Sequence, residues 1–126
     1  MAKSILNDVL DAALSEIAKA GSMAICSQQP TTRTEALVTY ALATHALTTG
    51  DGAGDYTIGD GDTSGRKIAV AQQTGVTFTA TGTANHIALC DATRLLLVTT
   101  CTSQVISATG NTATVPTFDD EILDPT

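Results

Sequence analysis

Ile5, Leu6, Val9, Leu10, Ala13, Leu14 and Ile17 recur at spacings of three and four, the period that gathers side chains on one stripe of an α-helix. Asn7, Asp8, Asp11, Ser15 and Lys19 fall on the other face. The pattern predicts an amphipathic helix over residues 4–20 with one dry side and one wet side. Ser4 offers an N-cap hydroxyl, and Gly21 offers a residue free to leave the helix with positive φ. Such a helix must lie on something: its own domain in the first instance, a neighbouring subunit in the second.

Residues 23–27 read as a short strand stopped by Gln28, Gln29 and Pro30. The next stretch, 31–49, gives mixed signals. Thr34 to Leu37 can start a short helix, whereas Val38 and Tyr40 alternate as in a strand, and both readings stay open. Residues 50–65, GDGAGDYTIGDGDTSG, are so rich in Gly and Asp that a loop is expected, with a brief extended piece at 56–58. Strands are then predicted at 66–72, 76–81, 84–90, 95–101, 103–108 and 112–118. Turn signals separate them at Gln73-Thr74-Gly75, Gly82, Asp91-Ala92-Thr93 and Gly110-Asn111. Val76, Phe78 and Ala80 alternate with Thr77, Thr79 and Thr81, giving one apolar face and one threonine ladder. The closing FDDEILDPT reads as an edge strand or an ordered terminal arm.

Strands spaced by about ten residues without intervening helices imply antiparallel sheets. The expected fold is therefore α+β, an N-terminal amphipathic helix packed on an antiparallel β-sandwich or barrel. A single domain is expected over 1–126: a helical segment 1–21, a mixed segment 22–65 with the Gly/Asp-rich loop, and an antiparallel β body 66–126.

Composition narrows the class. About a third of the 126 residues are Thr or Ala, only four are aromatic and none is Trp. A core built of small and branched side chains buries little area per residue, which gives a first hint of a component stabilised within an assembly. The net charge of -7, with only six Lys and Arg, leaves no basic stripe to neutralise phosphates and argues against nucleic acid as a partner. Cys26, Cys90 and Cys101 form an odd set in apolar surroundings, as reduced thiols of a chain made in a cytosol would. The acids and Asn7 among the first twenty residues fit neither a signal peptide nor a membrane span.

The candidate chemistry is thin. Asp60, Asp62 and Ser64 stand at the first, third and fifth places of a calcium loop, with Gly65 at the sixth. The twelfth place, which needs a bidentate Glu, is Ala71. Asp51 and Asp55 are the nearby oxygens that would complete an irregular site, and a solvated acidic turn is the simpler expectation. The glycines of 59–67 are wrongly spaced for a phosphate loop, and Asp60 and Asp62 would repel the anion. His86 and Cys90 lie four apart, over about 10 Å along a strand, and Cys101 adds no Cys-x-x-Cys pair. His45 or His86 with Ser64 lacks a nucleophile elbow. No catalytic group and no cofactor is expected. The charged residues Asp60, Asp62, Arg66, Lys67 and Arg94 are instead interface candidates, the alternative being local pairing of the cations with Asp60, Asp62 or Asp91.

Read together, ILNDVLDAALSEI, CSQQPTT, DGDTSGRKIAV, TANHIALCDATRLLLVTT, GNTATVP and EILDP resemble a group of small proteins encoded among the head genes of tailed bacteriophages. The similarity spans nearly the whole chain, and DGDTSGRKI and ATRLL are its most specific parts. The resemblance implies a capsid decoration or cement protein, made in the host cytoplasm and placed on the outer surface of the virion. Its partners would be the major capsid protein and copies of itself, as a homotrimer, with neither nucleic acid nor membrane. The rival expectation is a host-recognition module of a head fibre or tail tip that binds a cell-surface glycan. The acidic 50–65 loop motivates that rival; the scarcity of aromatic residues for sugar stacking disfavours it.

Overall fold

The computed structural model describes residues 3–125; the expected segment ends at Met1, Ala2 and Thr126 lie outside them. Helix α1 spans Asn7–Ile17, three residues shorter at each end than the periodicity predicts. Leu6, extended at φ -65 and ψ 141, is the N-cap and makes no side-chain capping bond, so Ser4 does not serve. At the other end Gly21 is not the stop. Ala18, Lys19 and Ala20 already follow the helix in a turn closed by the carbonyls of Leu14, Glu16 and Ile17. Ala18 and Ala20 are buried there, so packing rather than a glycine sets the exit. The dry stripe is also narrower than expected: Leu10 and Leu14 are buried, while Ile5, Leu6 and Val9 are exposed.

The remainder is mostly antiparallel β-sheet. Strands β1 (Ser22–Cys26), β2 (Ala41–Ala46), β3 (Tyr56–Asp60), β4 (Arg66–Val70), β5 (Gln73–Thr77), β6 (Gly82–Cys90), β7 (Leu95–Ile106), β8 (Thr112–Val115) and β9 (Phe118–Ile122) follow one another. One sheet has the order β2-β1-β6-β7, a second β3-β4-β9, and a short third β5-β8. The first and third touch where Phe78 bridges Ala43 and where the N–H groups of Thr79 and Ala80 donate to the Leu42 carbonyl.

The ambiguous 31–49 stretch resolves into both of its readings in succession. Glu35–Thr39 forms one wide π-helical turn, and β2 follows it. Other expectations need correction. Gln73-Thr74-Gly75 is not a turn but the start of β5, made irregular by a register shift between Gln73 and Val76. The two strands expected at 95–101 and 103–108 are one, because nothing between them forces a turn and β6 is long enough to pair along β7. The strand expected at 112–118 is divided at Pro116, which lacks the N–H a ladder needs. The closing segment beyond it is the edge strand β9, paired with β4. Strands β1 to β3 also place sheet structure well before residue 66. The alternation of buried Val76 and Phe78 with exposed Thr77 and Thr79 is as predicted.

The main core joins Leu14 of the helix to Met23, Ile25, Tyr56, Ile68, Val70, Phe78, Ile87 and Leu89. Tyr56 is wholly buried and its hydroxyl donates to the Ala20 carbonyl at 2.7 Å. This bond fastens β3 to the chain leaving the helix. On the reverse face of β1 and β6, Ala24, Cys26, Ala88 and Cys90 pack with Ala36 of the wide turn. Both faces of β1 are thereby covered, which is why four of its five residues are buried in an unbroken run.

Candidate interface surfaces

The acidic loop is a hairpin tip. Asp60 stands opposite Arg66 at the mouth of β3 and β4, and Gly61 donates its N–H to the Gly65 carbonyl at 3.0 Å. Gly65 has φ 69, and a Cβ there would overlap the Ile122 carbonyl oxygen; a Cβ at Gly61 would overlap that of Ser64. The tip is clasped by the β9 segment. Thr63 donates its N–H to Glu121 Oε1 at 3.1 Å, and Asp124 donates its N–H to Ser64 Oγ at 3.1 Å. The Gly and Asp spacing that resembles a calcium loop is thus what a tight, clasped turn requires.

The five charged candidates are all engaged within the chain. Arg66 Nε meets Asp11 Oδ1 of the helix at 2.7 Å, and its NH1 meets Asp60 Oδ1 at 2.7 Å. Lys67 Nζ reaches Asp62 Oδ1 at 2.8 Å and Asp119 Oδ2 at 3.2 Å. These contacts push both cations' pKa values further up, the bond to Asp11 acting most on Arg66 and that to Asp62 most on Lys67. Asp60, Asp62, Arg66 and Lys67 are therefore brought together. Arg94 belongs to a separate cluster at the β6-to-β7 turn. Its Nε donates to Asp91 Oδ2 at 2.8 Å and its NH2 to Glu16 Oε2 at 3.2 Å. Asp91 also accepts the backbone N–H groups of Thr93 and Arg94, and these bonds, with Arg94, hold its carboxyl down at about 2.

Asp51 and Asp55, the other oxygens weighed for calcium, staple the loop. Asp51 accepts the N–H of Ile58, and Asp55 accepts Gln73 Nε2 and the N–H of Thr48. Among the described residues no three His, Cys, Asp or Glu side chains gather where they would hold a metal. His45 lies opposite Met23, and His86 opposite Cys26, on the two sides of β1, while Ser64 sits at the hairpin tip. The structure does not bring these three together. The thiols are free, and burial raises all three, Cys26 to about 11.

A second surface escaped the motif reading. Between Lys67 and Asp119 the only charged residues are Asp91 and Arg94, and residues 95–118 carry none. That stretch includes β7, the outer strand of the four-stranded sheet, and β8, the outer strand of the two-stranded one. Between them runs a groove of about 210 Å³ floored by Phe78, Ile87, Ile106 and Val115 and rimmed by Cys101 and Pro116. It continues past Thr99 and Thr100 towards Phe118. The charge gap was visible in the sequence; that both of its strands are sheet edges was not.

No helix among the described residues is long and apolar enough to cross a membrane. Compared with protein-family models, with curated proteins and with solved structures, the chain matches none.

Proposed function

We propose that this chain is a non-enzymatic structural protein of a bacteriophage virion, a decoration or cement protein. It binds the outer surface of the major capsid protein shell as a homotrimer and stabilises it. The sequence resemblance supplies the family. The observation that carries the reading is the division of the surface, in which Arg66, Lys67 and Arg94 are spent on internal ion pairs and a long uncharged strip with an apolar groove is left open. A protein whose work is contact needs a stiff body and an open face, and a bound protein stabilises a shell through the contacts that expansion would break.

We read the architecture as a barrel open on one side. The run β7-β6-β1-β2 continues through the contact of Leu42 and Ala43 with residues 78–80 to β5 and β8, and the groove between β7 and β8 is the unclosed seam. The glycan-binding rival rests on the acidic loop. Asp60 and Asp62 in that loop are held by Arg66 and Lys67, which leaves fewer free acceptors for a sugar.

The test is to mix the purified protein with empty capsids of the phage that encodes it and sediment the shells. Saturable co-sedimentation and a raised capsid disruption temperature are expected. Protein that stays in the supernatant at every concentration overturns the reading, and binding to host cells instead moves it to recognition.

A further inference from the structure

We infer that the uncharged flank made by β7, the groove and β8 is the surface through which copies of this chain meet. The inference rests on the homotrimer of the reading above for the number of copies, and adds the surface that joins them.

Charge decides which surfaces can approach. Each copy carries a net charge of -7, so copies repel wherever acidic surfaces face each other. The β9 edge presents Asp119, Asp120 and Glu121, and the loops before β4 expose Asp51, Asp60 and Asp62. Charged edges of this kind block strand-to-strand approach. The β7 and β8 edges have no charged residue at all. They present Thr100, Thr102, Ser103, Gln104, Val105 and Thr114 to solvent, side chains that are cheap to desolvate compared with carboxylates. A basic partner would be drawn to the acidic surfaces, whereas a second copy, itself acidic, can approach this uncharged flank, which unlike the uncharged residues 36–50 also carries the apolar groove.

The 12 residues of β7 extend about 40 Å at a rise of about 3.3 Å each, long enough to run the length of an ordinary interface. The register shifts in the pairing of β6 with β7 break β7 into short regular pieces. The contact is therefore one of side chains seated along a groove, with Thr102 and Gln104 on its β7 side, and not an unbroken intermolecular ladder.

The experiment is sedimentation equilibrium of the full chain and of three variants, Thr102→Lys, Thr100→Lys and Val38→Lys. Thr102 and Thr100 are exposed and line the groove and its continuation, whereas Val38, 72% exposed, lies on the wide turn, off this flank. Thr102→Lys and Thr100→Lys are expected to raise the dissociation constant at least about tenfold, and Val38→Lys to leave it unchanged. A wild-type chain that is monomeric at every concentration overturns both the inference and the trimer. A wild-type trimer indifferent to Lys at 100 and 102 overturns the inference and leaves the trimer standing. Should the variants misfold, hydrogen exchange of the wild type decides: β7 amides must slow as concentration rises, and rates that do not change overturn the assignment. Capsid co-sedimentation is read separately, so loss of shell binding with the trimer intact indicts the decoration reading alone.

Discussion

Two regions of this molecule solve the same problem, an exposed sheet edge, by different means. Where β4 meets β3, β9 and the helix, Arg66 and Lys67 pair with four carboxylates and the edge strand β9 carries three consecutive acids. Along β7 there is no charge, and only register shifts interrupt the strand. The charged corner is finished as it stands, with backbone and side-chain groups satisfied by one another. The β7 flank is left with apolar and hydroxyl side chains facing outward. The difference teaches that in a small acidic chain the placement of the few cations, more than hydrophobicity, separates a corner closed on itself from an uncharged flank.

Breaking the charged corner at its backbone should have the largest effect. Gly65→Ala demands a left-handed conformation from a residue with a Cβ and drives that Cβ into the Ile122 carbonyl. A loss of about 3 kcal/mol in chemical denaturation is expected; a loss under about 0.5 kcal/mol would mean that the clasp is not rigid. Tyr56→Phe comes next. It leaves the Ala20 carbonyl without its buried donor and should cost about 1–3 kcal/mol, read from the same midpoints. Arg66→Met removes the bond between helix and hairpin tip. It should lower the melting temperature in dilute buffer, with the deficit shrinking in about 1 M salt as the wild-type attraction is screened; a deficit independent of salt would assign the role of Arg66 to packing.

Acid should dissolve the same charged network. Bonds to Lys19 and Arg94 lower the Glu16 carboxyl, bonds from Thr31 lower Glu35, bonds from Thr48 and Gln73 lower Asp55, and Asp91 falls from 3.8 to about 2. Groups depressed in the folded state stabilise it fully above their unfolded values and lose that contribution as pH falls through the folded ones. The melting temperature should therefore hold down to about pH 5 and fall between about pH 5 and pH 2, and Asp91→Asn should flatten the lower part of that slope. The smallest effect belongs to the other region. Thr102→Lys should change monomer stability by no more than about 0.5 kcal/mol, since Thr102 is exposed.

The helix, the β-rich remainder and the apolar alternation at Val76 and Phe78 were legible from periodicity, because burial on one face writes itself into spacing. Helix ends were not. The start at Leu6 and the exit at Ala18 are set by packing onto the sheets, information that lies tens of residues away. The join of 95–106 into one strand likewise depends on the length of its partner β6. At the candidate surfaces, pairing of Arg66, Lys67 and Arg94 with Asp60, Asp62 and Asp91 could be anticipated from proximity in sequence. The involvement of Asp11, Glu16 and Asp119 could not, since those contacts span 52 to 78 positions. Gly65 stands out in the sequence only as the sixth place of a calcium pattern, and the carbonyl that forbids a Cβ there belongs to Ile122.

The clasp on the hairpin tip also bears on the life of the chain before it is finished. Thr63 and Ser64 receive their partners from Glu121 and Asp124, separated by 58 and 60 positions, and β4 obtains its second neighbour only from β9. During synthesis the tip emerges long before the residues that secure it. Contacts of such long range make folding late and concerted, so a nascent chain has a loose hairpin and an incomplete second sheet until residues 118–124 have emerged. The hairpin tip becomes rigid only once translation has passed that segment.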